Sequence, residues 1–209
     1  MGRIVEGMKA LIKNTTGKEV DGNTKGEIFE KFSLQYKNIA LALAVVDSDS
    51  EDIATPIIAL KTGAVVGSGD AVSAESDGTY TVKYGTYNYS ISKTGYQTVT
   101  GTLTFGYDEA EAGEASAEVV LLTPAILTIA VTDGTNAITG STIVLKKGDT
   151  IGSGDVVTAE ANGTYKCLVG DYNYSVSKAT YDTETGVIEI TAAQLETVVT
   201  QTVTLTLTT

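Results

Sequence analysis

A stretch of this chain occurs twice, 85 positions apart, and that repeat limits the fold more than any other feature of the sequence. "IIALKTG", "GSGDAV", "AESDGTY" and "GTYNYSISKTGYQTVTG" are answered by "TIVLKKG", "GSGDVV", "AEANGTY" and "GDYNYSVSKATYDTETG". From Ile57 to Phe105 about half the positions match their counterparts without a gap, which makes the chain a tandem array of two modules. A module of ~85 residues buries only about two thirds of its unfolded surface. That suffices for a small sandwich and leaves no room for an elaborate catalytic cavity.

Within each copy the apolar residues alternate. Tyr87, Tyr89 and Ile91 share one face of an extended strand, and Tyr172, Tyr174 and Val176 share the equivalent face. Thr86, Asn88, Ser90 and Ser92, and in the second copy Asp171, Asn173, Ser175 and Ser177, fall on the other face, which is expected to meet water. The tyrosine hydroxyls are expected to reach partners at the rim. Asp77-Gly78 and Asn162-Gly163 occupy the same position and suit a tight turn with positive φ. "IALALAVV", Ile39 to Val46, reads as a buried strand. Val203, Leu205 and Leu207 alternate with threonines in the closing strand, where Val120 and Leu122 are their expected counterparts. Pro124 is the natural joint between the copies. Short strands separated by Gly, Asn and Asp turns predict an antiparallel sandwich in each copy.

Before Ile39 the period is helical. Ile4, Val5, Met8, Leu11 and Ile12 form one apolar stripe. Thr24 and Glu27 make a capping box ahead of Ile28, Phe29, Phe32 and Tyr36, predicting a second helix that ends near Asn38. About 38 residues cannot cover two such stripes alone, so these nine apolar residues are expected to dock on something. The organisation is thus a helical anchor over 1–38 and sandwiches over 39–123 and 124–209.

The chemistry available is narrow. With no histidine in the chain, Ser-His-Asp and Cys-His catalysis and the usual zinc ligand sets are excluded. Glu75 and Glu160 recur and are the remaining candidates for a carboxylate pair, although a recurring strand-turn Glu more often has a structural or solvated role. "GSGD" at Gly67 and Gly152 lacks the third Gly and following helix of a dinucleotide fingerprint and reads as a turn. The acidic run Asp47 to Asp52 has oxygen ligands in the style of a calcium loop, but Asp52 stands where an EF-hand needs Gly and Ile58 where it needs Glu. Asn14, Asn88, Asn162 and Asn173 begin N-x-Ser/Thr sequons. The lone cysteine, Cys167, stands where the first copy has Val82 and reads as a small core hydrophobe. No cofactor is expected. A net charge of -12 argues against nucleic acid and anionic membrane as partners.

The string "DGTYTVKYGTYNYSISKTGYQTVTG" and its echo "NGTYKCLVGDYNYSVSKATYDTETG" resemble the Ig-like repeats of bacterial surface proteins and of tailed-phage structural proteins. Their cadence is similar to carboxypeptidase-regulatory-like and collagen-adhesin B-type sandwiches, over Ile39 to Thr209. The resemblance implies a mainly β fold of two tandem Ig-like antiparallel sandwiches after a short two-helix segment, and a non-enzymatic role. B-type adhesin domains often carry an isopeptide bond from a first-strand Lys to a last-strand Asn or Asp; "AEVVLLT" and "TVTLTLTT" offer neither acceptor. The N-terminal segment with its "GKEVDGNT" turn also looks like the anchoring segments of phage virion accessory proteins.

Glu6 and Lys9 interrupt what would be a signal-peptide apolar core. The resulting expectation is a capsid decoration or head-fibre subunit, made in the host cytoplasm and carried on the virion. Its helices would hold the major capsid protein or another virion protein, or sibling copies. The outer sandwich would meet a host-surface glycan or protein. The alternative is a bacterial surface or secreted adhesin module.

Overall fold

A computed structural model describes Glu6, Lys9, Ala10, Lys13 and residues 25–208. The chain is mainly β and forms two units: residues 1–92 with 98–120, and residues 93–97 with 121–209. Thr24, half of the expected capping box, lies outside the described residues, as do Asn14 and the stripe Ile4, Val5, Met8, Leu11 and Ile12.

The first unit opens with helix α1 (Lys25–Leu34), shorter than expected, whose chain continues as a turn through Lys37. Strand β1 (Ile39–Val46) follows within the span that alternation predicts, then β2 (Ile57–Thr62), β3 (Ala71–Val72), β4 (Tyr80–Val82), β5 (Gly85–Ser92) and β6 (Val99–Phe105). A short helix α2 (Tyr107–Ala112) crosses to β7 (Glu114–Val120). The second unit repeats the order as β8 (Ala125–Thr132), β9 (Thr142–Lys147), β10 (Val156–Val157), β11 (Tyr165–Cys167), β12 (Gly170–Ser177), β13 (Glu184–Ile190) and β14 (Val198–Thr204). There a 3-10 turn, Ala192–Gln194, takes the place of α2.

Each unit stacks a three-stranded sheet on a four-stranded one: β4-β1-β7 with β3-β2-β5-β6, and β11-β8-β14 with β10-β9-β12-β13. The ladders are antiparallel except one per unit. β1 runs parallel to β7 from Ala40↔Glu114 to Val46↔Val120, and β8 parallel to β14 from Ile126↔Val198 to Thr132↔Thr204. Alternation along the sequence cannot reveal this, because a strand's direction depends on how the chain returns to it. A crossover from one sheet to the other delivers β7 and β14 beside the first strand in the same sense.

The last strand also corrects the expected register. The buried residues are Val119 and Leu121, matching Val203 and Leu205, while Val120 is 41% exposed. α2 is longer than the 3-10 turn, so the offset between copies falls from 85 to 84 beyond it. A slip of one residue moves a side chain to the other face. Leu207, expected in the alternating core set, is exposed.

The expected packing face turns inward in both copies and is buried except at Tyr89, which is half-buried. Tyr87, Ile91, Phe105 and Leu60 pack in the first unit, and Tyr172, Tyr174, Val176 and Leu145 in the second. Tyr87 accepts a hydrogen bond from the Lys83 N–H at 2.8 Å, and Tyr172 donates to the Leu168 carbonyl at 2.9 Å, so both hydroxyls find backbone at the rim. Cys167 is fully buried in the second core, as Val82 is in the first.

The opposite face departs from expectation at one position. Asn88 and Asn173 are 1% and 2% exposed, because the loop carrying "GSGD" folds down over them. Asn88 Oδ1 accepts from Gly67 N at 2.9 Å, and its Nδ2 donates to the carbonyls of Gly63 and Ser68 at 3.0 Å each. Asn173 repeats the pattern with Gly152, Gly148 and Ser153 at 2.9, 3.0 and 3.0 Å. A buried amide is tolerated when its donors and acceptor are all satisfied, and here they tie a loop to the sheet. The recurrence of "GSGD" follows: the loop needs left-handed backbone at Gly69 (φ +91) and Gly154 (φ +91), where a Cβ would overlap the carbonyl oxygen of Thr62 or Lys147.

Replacing Asn173 by Asp keeps the acceptor, removes both donated bonds and sets a carboxylate against two carbonyls. It is expected to cost about 3 kcal/mol in denaturant unfolding. Exposed Asn162→Asp, which copies the Asp77 turn of the first unit, is expected to stay within about 0.5 kcal/mol. The second unit should also weaken in alkali. Burial pushes the Cys167 thiol from 9.0 up to about 11. Burial, then the nearby Cys167, pushes the Tyr172 hydroxyl from 10.0 up to about 12. Both folded values lie above the unfolded ones, so their contribution is complete below about pH 9 and is lost as pH rises toward about 12. Thermal unfolding across that range checks this, and Cys167→Val should remove the lower part of the decline.

Candidate functional site

Of the nine residues expected to form an anchor, the structure describes Ile28, Phe29, Phe32 and Tyr36. α1 divides them. Glu27 in its first turn and Lys31 in its last suit the helix dipole. Ile28 is fully buried, and Leu34 packs against the core of its own unit. Three polar contacts fix the same side to α2. The Lys31 ammonium lies 5.2 Å from the Tyr107 ring centre, Gln35 Nε2 donates to the Tyr107 hydroxyl at 3.2 Å, and Lys37 Nζ donates to the Glu111 carbonyl at 2.6 Å. The last bond satisfies a carbonyl in the final turn of α2, a group that lacks an intrahelical partner. Tyr107 also packs on Tyr84, 4.8 Å between ring centres, and the Tyr84 hydroxyl is raised by burial and then by Tyr107.

The remaining aromatics lie three and four residues apart: Phe29 and Phe32 stand on a neighbouring face of α1, and Tyr36 continues their stripe in the turn that follows it. Phe29 is 60% exposed and Tyr36 45%, with Phe32 half-buried between them. Phe32 and Tyr36 meet edge to face, 5.2 Å between centres. Large aromatics standing together in water are uncommon on a settled surface, and such a stripe is suited to burial against a partner. On the far flank, Glu27, Glu30, Asp108 and Glu111 line a hollow of about 250 Å³ with Lys31 and Tyr107.

The carboxylate candidates have local roles. Glu75 Oε1 accepts from the Thr81 hydroxyl at 3.0 Å, and Glu160 pairs with Lys166 at 3.4 Å beside a shallow hollow in the other unit. The acidic run closes on itself: Asp47 Oδ1 accepts from the N–H groups of Asp49 and Glu51, both at 3.0 Å. Among the described residues no group of three His, Cys, Asp or Glu is placed to hold a metal ion. No described helix is long and apolar enough to cross a membrane. The sequons at Asn88 and Asn173 are occupied by the loop contacts above, and Asn162 Oδ1 accepts from Thr164 N at 3.2 Å in its exposed turn.

Sequence reasoning missed the tips of the tied-down loops. Val65 and Val66 are 68% and 46% exposed in the first, and Ile151 is 51% exposed in the second. The available signal was the shared spacing from "GSGD" to the Tyr-Asn-Tyr strand, 21 residues from Gly67 to Asn88 and from Gly152 to Asn173.

No family model matches the sequence, and no curated protein does. Solved structures do. The Bacillus anthracis TIE protein is 15% identical, with a TM-score of 0.36 over 81% of this chain and 34% of its own. A streptococcal ancillary pilin is 16% identical, TM-score 0.38, over 79% and 62%. The minor pilin of Streptococcus agalactiae is 12% identical, TM-score 0.34, over 83% and 97%. The chain therefore spans about a third of the first neighbour and about three fifths of the second. At these identities and scores the likeness carries no role over to this chain.

The two faces of α1 separate by substitution. Ile28→Ala is expected to cost about 2–4 kcal/mol in unfolding of the first unit. Phe29→Ser, on the exposed stripe, is expected to stay within about 0.5 kcal/mol by the same measurement.

Proposed function

We propose that this protein is a non-enzymatic structural module that displays two β-sandwiches on a larger assembly, with its N-terminal helical segment as the attachment. The observation that carries this reading is the aromatic stripe Phe29, Phe32 and Tyr36, held on α1 and the turn after it, with the neighbouring side of α1 fixed to its own unit. Burying exposed aromatic area on a partner contributes roughly 25 cal/mol per Å², so a few such rings supply useful docking energy. Ile4, Val5, Met8, Leu11 and Ile12 would extend the contact.

The tandem sandwiches and their sequence resemblance favour a bacterial surface or secreted adhesin-type module. The exposed stripe favours a second reading, attachment to a phage particle through its major capsid protein or another virion protein. In either setting the strong negative charge opposes nonspecific sticking between crowded copies. Fractionation distinguishes them: recovery with cell-wall material supports the first, and stoichiometric presence in purified particles the second. In the fraction that holds the full chain, deletion of residues 1–38 and the double substitution Phe29→Ser, Tyr36→Ser are expected to release the protein. Full retention of both variants would remove the attachment role.

A further inference from the structure

Each unit ends on a strand at the margin of its three-stranded sheet, and the two margins differ. In the first unit Ala40 N donates to the Gly113 carbonyl, so odd-numbered residues of β7 turn their backbone toward β1. Glu114, Ser116, Glu118 and Val120 then present their N–H and C=O groups outward, all with exposed side chains. In the second unit Ile126 N donates to the Thr197 carbonyl and Leu205 N to the Thr132 carbonyl, so the outward residues of β14 are Val198, Thr200, Thr202 and Thr204. These too have exposed side chains, Val198 at 71%. Charged side chains are a common protection of an open edge against pairing with another strand. β7 carries two glutamates there; β14 carries no charged residue at all.

We propose that the outer edge of β14 is an interaction surface, and that its occupant is β14 of a second copy, paired antiparallel about a twofold axis. Copies carrying a charge of -12 repel one another, so a contact between them requires an uncharged place. Along this edge seven residues, Val198 to Thr204, are uncharged and free of proline. Twofold pairing sets the same strand against itself and brings threonines opposite threonines, a favourable cross-strand pair. The Thr202 carbonyl is met by the neighbouring Gln201 amide at 3.0 Å, a bond that an incoming strand replaces. β6 is also uncharged, but Gly101 interrupts its middle and the Thr104 hydroxyl is bonded to Thr86 at 3.1 Å. The surface is separate from the helical stripe, so it goes beyond the attachment reading.

Sedimentation of the full chain over a concentration series tests this. The expected result is a monomer–dimer equilibrium. Thr202→Lys should weaken it by about tenfold or more, since the twofold axis counts each substitution twice. Thr200→Pro, which removes an outward N–H, should act alike, and both variants should melt as the parent does. Amide exchange at Thr200 and Thr202 should slow as the dimer forms. Phe29→Ser should leave the equilibrium unchanged, which separates this surface from the helical attachment. A monomer at every concentration would overturn the proposal. So would a dimer that Thr202→Lys and Thr200→Pro both leave intact, or one that Thr102→Lys on β6 abolishes in their place.

Discussion

Hydrogen bonds between the first and last strands close each module. β1 with β7, and β8 with β14, hold residues more than seventy positions apart in one parallel ladder, and among the described residues no other strand pairing joins the ends of a module. That closure sets Leu41 opposite Ala115 and Val45 opposite Val119, and Leu127 opposite Val199 and Val131 opposite Val203, as one wall of each core. It also dictates where the chain enters. In the first unit the entrance lies at Ile39, next to the crossover that carries α2, so α1 arrives where Tyr107 and Glu111 can receive it.

Without a cross-link between the closing strands, the wall relies on packing and on backbone bonds alone. β1 and β8 contain no lysine, and β7 and β14 contain no Asn or Asp, so the isopeptide bond of adhesin B-type domains has neither an amine nor an acceptor here. The second wall has a fastening of its own. The amides of Asn88 and Asn173 each bind three backbone groups of the loop above them, and the lysines at 61 and 146 add bonds to Gly67 and Gly152 at 2.7 and 2.6 Å. A loop held this way loses little entropy on meeting a partner, which suits its exposed apolar tips to contact.

Much of this was legible beforehand. The 85-residue repeat gives two modules, alternation locates β1, β5 and β12, and the matched Asp-Gly and Asn-Gly pairs mark a turn in which Gly78 and Gly163 take φ +85 and +80. The identity of Cys167 as a valine substitute was readable from its place in the repeat. Asn88 and Asn173 were not readable as buried, because a polar residue on an outward face is covered only if a distant loop folds over it. The final register was misread for a related reason: one residue gained in a crossover is invisible to a gapless comparison, yet it exchanges Val119 for Val120 in the core.

The sequence by itself determined the local terms: which segments extend, where glycine is needed, which face of each strand is apolar, and that no histidine-dependent chemistry is available. Periodicity and backbone sterics act over a few residues and are written in residue order. Tertiary structure alone decided which strands are neighbours, which edges stay open, that Ile28 is buried while Phe29 is not, and that an asparagine becomes a fastening. Those outcomes depend on contacts between residues far apart in the chain, and such contacts exist only after the ladders have closed.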